Sequence, residues 1–572
     1  MMNGLKNFFK WNKRSLRASL SSGQRASLLS GTLVGTSYIP FPPWAIFFAY
    51  VPLWLKVLRE TSLVRVFFFG WVTQFVLTLI GFHWIAYTAY EFGHIPWPLS
   101  GLVLLAFASL AHLYIPLSII LAIQIRNWTR LSDSQTLVLL ALTLILGERI
   151  WPSIFPWNLG YTFLWARWPI YQWADIVGFE GLSAFILLMN AAVAIAWLQA
   201  HNRPRVLLSL GFVGTLGIVA LSVGGDFHGK AWKETDSSIK VLAVQGNIGN
   251  FEKIAAEKGH AFQSEILNRF LDLTRKGLLD HPETDLIFWP ETAFPDFLDE
   301  FYKHRERPAR LTEAIKTWKK PLLTGSFSKN HLDSDSNKNT FNAAFLISKE
   351  GERLGPPYHK TNLLAFGEYL PFSNQFPVLL KWITIVSNFG RGQGPSVFSW
   401  PQALSVDVSN TNSASNAGHI LKIGPQICYE GLSPDFSREL ARQGADLIAN
   451  FTNDSWFGLT WFGYSFEPQQ HMNMTLGRAI ELRRPLIRAT NTGITTAILA
   501  DGTQLAQSPI NEPWTGLLDI KFKKNSPQSF FVEHKNLDSW LYFVLFFVMM
   551  TVNWLKHQRL FKHKQTHPQK KM

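Results

Sequence analysis

A chain of 572 residues with 23 Trp, 45 Phe and only 16% charged residues is too apolar for an ordinary soluble protein, in which about 25% of residues are charged. The formal net charge of +14 does not mark a nucleic-acid binder: residues 226–524 hold 32 Lys+Arg and 32 Asp+Glu, leaving 22 basic and 8 acidic residues beside the apolar stretches. One cysteine excludes an intramolecular disulfide framework.

In chain order, stretches long enough or nearly long enough to cross a bilayer fall at residues 23–39, 41–57, 66–89, 97–125, 135–152, 179–199, 205–224 and 538–555. Their interiors are nearly free of Asp, Glu, Lys and Arg, which argues against an ion-coupled transporter. If eight spans alternate, Lys6, Lys10, Lys13, Arg14 and Arg17 share one side with Lys56, Arg59, Arg65, Arg126, Arg130, Arg203, Arg205 and the tail KHQRLFKHKQTHPQKK. The positive-inside rule makes that side cytoplasmic, with both termini, and puts residues 226–524 outside. No small-residue cleavage site follows the basic N-terminus and more spans come after it, so it does not read as a cleaved signal peptide. Residues 150–178, dense in Trp and Pro, read as an interfacial or re-entrant segment. The glycines of GFVGTLG, 211–217, read as a close helix-packing site rather than a dinucleotide motif.

From residue 226 the pattern changes. The runs IKVLAVQGNI, DLIFWPETA, PLLTGSF, NAAFLIS, HILKIGPQICYE, DLIANFTND and LIRATNTGITTAILADG read as strands, and 254–278, 308–319, 434–444 and 466–483 as helices. Ser433 is the expected N-cap of the third helix, with Pro434 at its first position. Continuous Val/Ile/Leu runs suit strands covered on both faces, hence an α/β domain with helices on a sheet. The segments 328–339 and 408–418 read as polar surface loops, and GRGQG, 390–394, as a mobile loop. The sequons at Asn450 and Asn453 read as chance.

Ionisable residues collect at strand ends: Glu291 in LIFWPE, Lys360 in YHK followed by Glu368 in FGE, and Cys428 with Glu430 in PQICYE. Ligands of α/β sheets bind at the carboxyl ends of strands, so residues far apart in sequence converge there. No HExxH or Cys/His ligand spacing occurs, so no catalytic metal and no cofactor are expected.

The ordered WPE, YHK and CYE motifs resemble the Glu-Lys-Cys triad of the nitrilase superfamily. Together with FGEYLPF, NFGRGQG, NDSWFG and the eight-span pattern, nearly the whole chain is similar to the apolipoprotein N-acyltransferases, membrane-bound members of that superfamily. It departs at Gly249, where the family has Pro, and in lacking Trp in EKIAAEK. The resemblance implies a membrane domain of about seven helices over 1–225 and an exported nitrilase-like αββα sandwich over 226–524. A final span and basic tail over 525–572 complete a monomeric enzyme of the bacterial inner membrane. It implies catalytic Glu291, Lys360 and Cys428, with Glu368, Tyr429 and Glu430 in support. The partners it implies are a phospholipid acyl donor and a diacylglyceryl apolipoprotein acceptor.

The chemistry agrees. A thiol of ordinary pKa needs a base beside it, for which Glu291 is the candidate; Lys360 and the Tyr429 N–H would hold the oxyanion. The apolar stretch YLPFSNQFPVLLKWITIVSNF suggests a lipid-accessible mouth, with Trp289, Leu379, Trp382, Ile385 and Trp456 as its candidate lining. A tethered amidase acting on a soluble substrate would use the same triad but leaves the eight spans unexplained.

Overall fold

The computed structural model describes residues 21–91, 93–200, 204–249, 260–329, 340–371, 373, 375–376, 378, 389–401, 420–457, 465–535, 537, 542–548 and 551. Its N-terminal part is helical. Among the described residues, Leu63–Gly81, Trp97–Thr129, Pro169–Gln199 and Gly211–Lys230 are long and apolar enough to cross a membrane. Several carry apolar side chains on their outer faces as well: Phe68, Leu102, Leu121, Phe212 and Leu216 are exposed. Helices apolar all round belong in a core or a bilayer.

Local sequence explains the breaks. The stretch 97–125, expected as one span, is two helices, Trp97–Leu110 and Tyr114–Thr129; Pro116 follows the break and has no N–H to offer the His112 carbonyl. Only Val51–Val57 of the expected 41–57 is α-helical, after Pro40, Pro42 and Pro43. The reading of GFVGTLG is corrected: among the described residues, a Cβ added at Gly211, Gly214 or Gly217 would meet nothing within 4 Å. This helix packs further along, where Gly225 and Gly229 lie against the Pro169 carbonyl and Gln172.

The second part is built on two sheets. The first has the order β11-β1-β2-β3-β4-β5: β1 Ser237–Gln245, β2 Leu286–Phe288, β3 Leu322–Lys329, β4 Thr340–Ile347, β5 Tyr358–His359 and β11 Trp514–Phe522. The second runs β10-β9-β8-β7-β6, from β6 Phe398–Pro401, β7 Ile420–Ile427, β8 Leu447–Thr452, β9 Leu486–Thr490 and β10 Thr496–Ile498. In each sheet the central pairs are parallel and antiparallel strands finish the edges. Side chains alternate across a strand, and the cores follow. Val241, Ala243 and Phe288 face the other sheet, with Phe288 edge-on to Phe451 at 4.8 Å. Leu242, Val244 and Ile287 face the helices His260–Asp280 and Glu306–Trp318 through Leu267, Phe270 and Ile315. The helices Pro434–Arg442 and Glu467–Leu482 cover the second sheet, and the layers read helix, sheet, sheet, helix. Ser433 caps as its sequence predicts, its hydroxyl accepting from the Phe436 N–H at 3.3 Å.

The two parts are joined by buried polar contacts on the helix Glu467–Leu482. Gln470 donates to the carbonyls of Ile39 at 2.9 Å and Gly81 at 3.0 Å. Glu481 accepts from the Phe179 N–H at 2.9 Å. Just beyond the helix, Arg483 binds Asp175 at 2.8 Å and the Gln172 carbonyl at 2.6 Å. At Gly477 a Cβ would lie 2.8 Å from Phe179.

Candidate active site

Three chain turns bring the expected triad together. Pro290 stops β2, and the next residues lie flush on β3, where a Cβ at Gly325 would sit 2.7 Å from the Glu291 Cα. Glu291 is thereby held at the sheet end, 6% exposed. Lys360 follows β5 directly and is 1% exposed. Cys428 opens a 3-10 turn, Cys428–Leu432, after β7 and takes φ +52, a left-handed conformation rare for a residue with a Cβ. The N–H of Tyr429 lies in the first turn, where N–H groups lack carbonyl partners from their own helix.

The Lys360 ammonium is 2.8 Å from Glu368 Oε1 and 3.4 Å from Glu291 Oε1. Asn342 Nδ2 donates to the same two oxygens, at 3.1 and 2.7 Å. Glu368 Oε2 accepts from the Leu364 N–H at 2.9 Å, which folds the loop back on itself. Burial works against the Lys360 ammonium, but Glu368 and Glu291 outweigh it and raise its pKa above the usual lysine range. Lys360 therefore stays charged and cannot serve as the base. Burial pushes the Cys428 thiol up, the Glu291 charge adds to this, and Lys360 and a hydrogen bond with Thr452 oppose it. The resting nucleophile is a neutral thiol.

Glu430 is fully buried and braces the site. Its Oε1 accepts from the Tyr358 hydroxyl at 2.6 Å and from the N–H groups of Thr361 and Asn362 at 2.6 and 3.0 Å; its Oε2 accepts from Ile427 at 2.8 Å. The glycine loop 390–394, expected to be mobile, is instead tied down: Gly392 donates to the Lys360 carbonyl and Gly390 to that of Thr340, each at 2.8 Å.

Cys428 opens into a mainly apolar cleft. Tyr38, Phe82, Trp84 and Phe155 of the N-terminal part form one wall, and Tyr429, Glu467, His471 and Met474 the other. Tyr429 meets Phe155 edge-on at 6.3 Å.

Not every expected residue lies here. Trp289 is corrected to a core residue: it is fully buried beside Phe270 and donates to Thr274 at 2.9 Å, because it shares the helix-facing side of β2 with Ile287. Leu379, Trp382 and Ile385, and the side chain of Trp456, lie outside the described residues. Asn450 and Asn453 are buried, so their sequons face no solvent. Sequence reasoning missed Asp454, Glu467 and His471, whose polar atoms lie within 4.8 Å of one another. Only the Glu467/His471 pair, one helical turn apart, left a signal.

A profile described as "Carbon-nitrogen hydrolase" matches residues 238–524, so the second part is a carbon-nitrogen hydrolase domain. A second, "Apolipoprotein N-acyltransferase N-terminal domain", matches residues 30–192. The apolipoprotein N-acyltransferase of Bdellovibrio bacteriovorus is 50% identical over 523 residues, covering 91% of this chain and 92% of that one. That of Geobacter metallireducens is 29% identical over 522 residues, 90% and 92% of the two chains. A carbon-nitrogen hydrolase structure from Helicobacter pylori aligns over 50% of this chain and 90% of its own, at 16% identity and a TM-score of 0.34. The chain belongs to the apolipoprotein N-acyltransferase family.

Proposed function

We propose that this acyltransferase moves an acyl chain from a membrane phospholipid to Cys428, and from there to the α-amino group of a diacylglyceryl-cysteine at the N-terminus of a lipoprotein. In the first half Glu291 takes the thiol proton as sulfur attacks the ester carbonyl. Lys360 and the Tyr429 N–H hold the oxyanion. Collapse expels the lyso-lipid oxygen, which Glu291 protonates. In the second half the amine attacks the thioester, Glu291 accepts a proton from its nitrogen, and the thiol is restored. Glu368, Asn342 and Glu430 are positioning residues.

The observation that carries this reading is the composite cleft: the nucleophile faces a wall of Phe82, Trp84 and Phe155 from the N-terminal part, where acyl chains stay in an apolar environment. That wall favours transfer over the tethered-amidase reading, since it limits the water that competes with the amine.

The domains are read as a membrane domain over 1–225, a catalytic domain over 226–524 and a final span with a basic tail over 525–572. The reading has eight spans, with the protein a monomer in the inner membrane, the catalytic domain periplasmic and both termini cytoplasmic. The distribution of Lys and Arg supports it.

The test is to incubate purified protein with labelled phospholipid alone. A hydroxylamine-labile adduct should form on Cys428 and be lost in Cys428→Ala. An adduct undiminished in that variant, or none in the wild type, would sink the proposal.

A further inference from the structure

The cleft holds a second polar group that the triad does not use. Glu467 is 3% exposed and lines the same cleft as Cys428. Its Oε1 is 3.2 Å from His471 Nδ1, which lies 3.0 Å from Asp454 Oδ1. Asp454 Oδ2 accepts from Arg488 Nη2 at 2.6 Å. Arg488 Nη1 donates to Asn450 Oδ1 at 3.2 Å, and Asn450 Nδ2 to the Cys428 carbonyl at 3.5 Å. A continuous polar chain therefore runs from the backbone of the nucleophile to Glu467. Its last atom, Glu467 Oε2, has no hydrogen-bond partner among the described residues. A buried carboxylate oxygen without a donor is costly unless a ligand supplies one.

We infer that Glu467, held by His471 and Asp454, is a binding site for a primary ammonium, and that its occupant is the α-ammonium of the acceptor. This rests on the acyl-enzyme reading above. Glu467 is the one carboxylate among the described residues lining the cleft, so it is the group that a cation arriving beside Cys428 would meet. Arg488 already neutralises Asp454, which makes the cluster suited to one further positive charge of low valence rather than to a divalent metal.

The site also answers a chemical need. An α-amino group has a pKa of about 7.7–8.0 and reaches the enzyme largely as R–NH3+, which has no lone pair with which to attack. Transfer of one proton from nitrogen to Glu467 gives R–NH2 and a neutral carboxylic acid. The lone pair then forms the C–N bond at the thioester carbon, and the second proton leaves nitrogen through Glu291 as the C–S bond breaks and the thiol re-forms. Burial, and then the Asp454 charge, raise the Glu467 pKa, so this carboxylate is a stronger base toward an ammonium than an exposed glutamate would be. An ethanolamine headgroup on the donor offers the same ammonium chemistry, and the two sources separate by half-reaction.

The test uses the full-length enzyme and measures the halves apart. Cys428 is acylated with labelled phosphatidylethanolamine or with phosphatidylglycerol, and the adduct is discharged by a synthetic diacylglyceryl-cysteine lipopeptide. Glu467→Gln should acylate at wild-type rates from both donors, which also shows that it is folded. Discharge should be at least 10-fold slower or need at least 10-fold more lipopeptide below pH 8, with the deficit narrowing as pH rises and the free amine accumulates. Glu467→Asp should recover part of the rate. Discharge at the wild-type rate, equal loss in both halves, or a loss confined to acylation from phosphatidylethanolamine would each overturn the assignment. Failure of the wild type to form any adduct would instead overturn the parent reading.

Discussion

Glu430 accepts the Tyr358 hydroxyl at 2.6 Å, which joins the residue two after the nucleophile to the residue two before Lys360. The same carboxylate takes three backbone N–H groups, so it sets the distance between two strand ends in different sheets. Glu430→Gln turns an NH2 toward some of these donors. It should destabilise the protein by about 2–3 kcal/mol, seen as a lower Tm in detergent, and slow acylation of Cys428 at least 10-fold. Unchanged acylation would show that the brace does not position the thiol.

Because burial and the Glu291 charge raise the thiol pKa, alkylation of Cys428 by iodoacetamide should keep rising with pH beyond about 8.5, where a free cysteine is half ionised. Glu291→Gln removes one of the raising charges and should shift that profile to lower pH. Acyl transfer should nonetheless fall by about 10²–10⁴-fold with the loss of the base. A wild-type profile that levels off below pH 8 would contradict the electrostatics.

Gly392 marks where the glycine loop crosses the strand of Lys360: a Cβ there would lie 2.1 Å from the His359 carbonyl. Gly392→Ala must push that strand aside and should lower the acylation rate at least 10-fold, since small displacements of catalytic groups are costly. Gly394→Ala, at φ +140 but with open space around it, should strain only the loop and cost less activity. Equal acylation by the two variants would refute the contact argument.

Asp454 is buried, which alone would raise its pKa, but Arg488 and His471 outweigh this and hold it to about 2. An unfolded Asp titrates at about 3.9. The folded value is the lower one, so Asp454 contributes stability above about pH 4 and loses it as pH falls toward 2. Asp454→Asn should therefore flatten the decline of Tm between pH 4 and 2. It should also lower Tm at pH 7 by leaving Arg488 buried without its carboxylate, at about 3–5 kcal/mol. An unaltered acid limb would refute the assignment.

The strands richest in Val, Ile and Leu were legible because a run buried on both faces has one reading. β11 escaped, although Leu518, Ile520 and Phe522 alternate with Asp519 and Lys521, because it is an edge strand with an exposed face. The triad was legible through its motifs, each at a strand end. Trp289 misled through its closeness to Glu291: up to Pro290 alternation holds and points it to the helices, and beyond Pro290 the chain turns. The Asp454–His471–Glu467 cluster was hidden because a strand end and a helix meet there only in the folded chain, and no spacing rule links them.

Gln470 fastens the two parts through the carbonyls of Ile39 and Gly81, main-chain atoms that every residue type supplies. The hydrogen bonds themselves therefore place no demand on side-chain identity at positions 39 and 81. A chimaera should keep its joint as long as the backbone path is preserved and position 81 stays glycine, since a Cβ there would lie 2.2 Å from the Trp157 ring. A search for covarying side-chain pairs would pass over this joint.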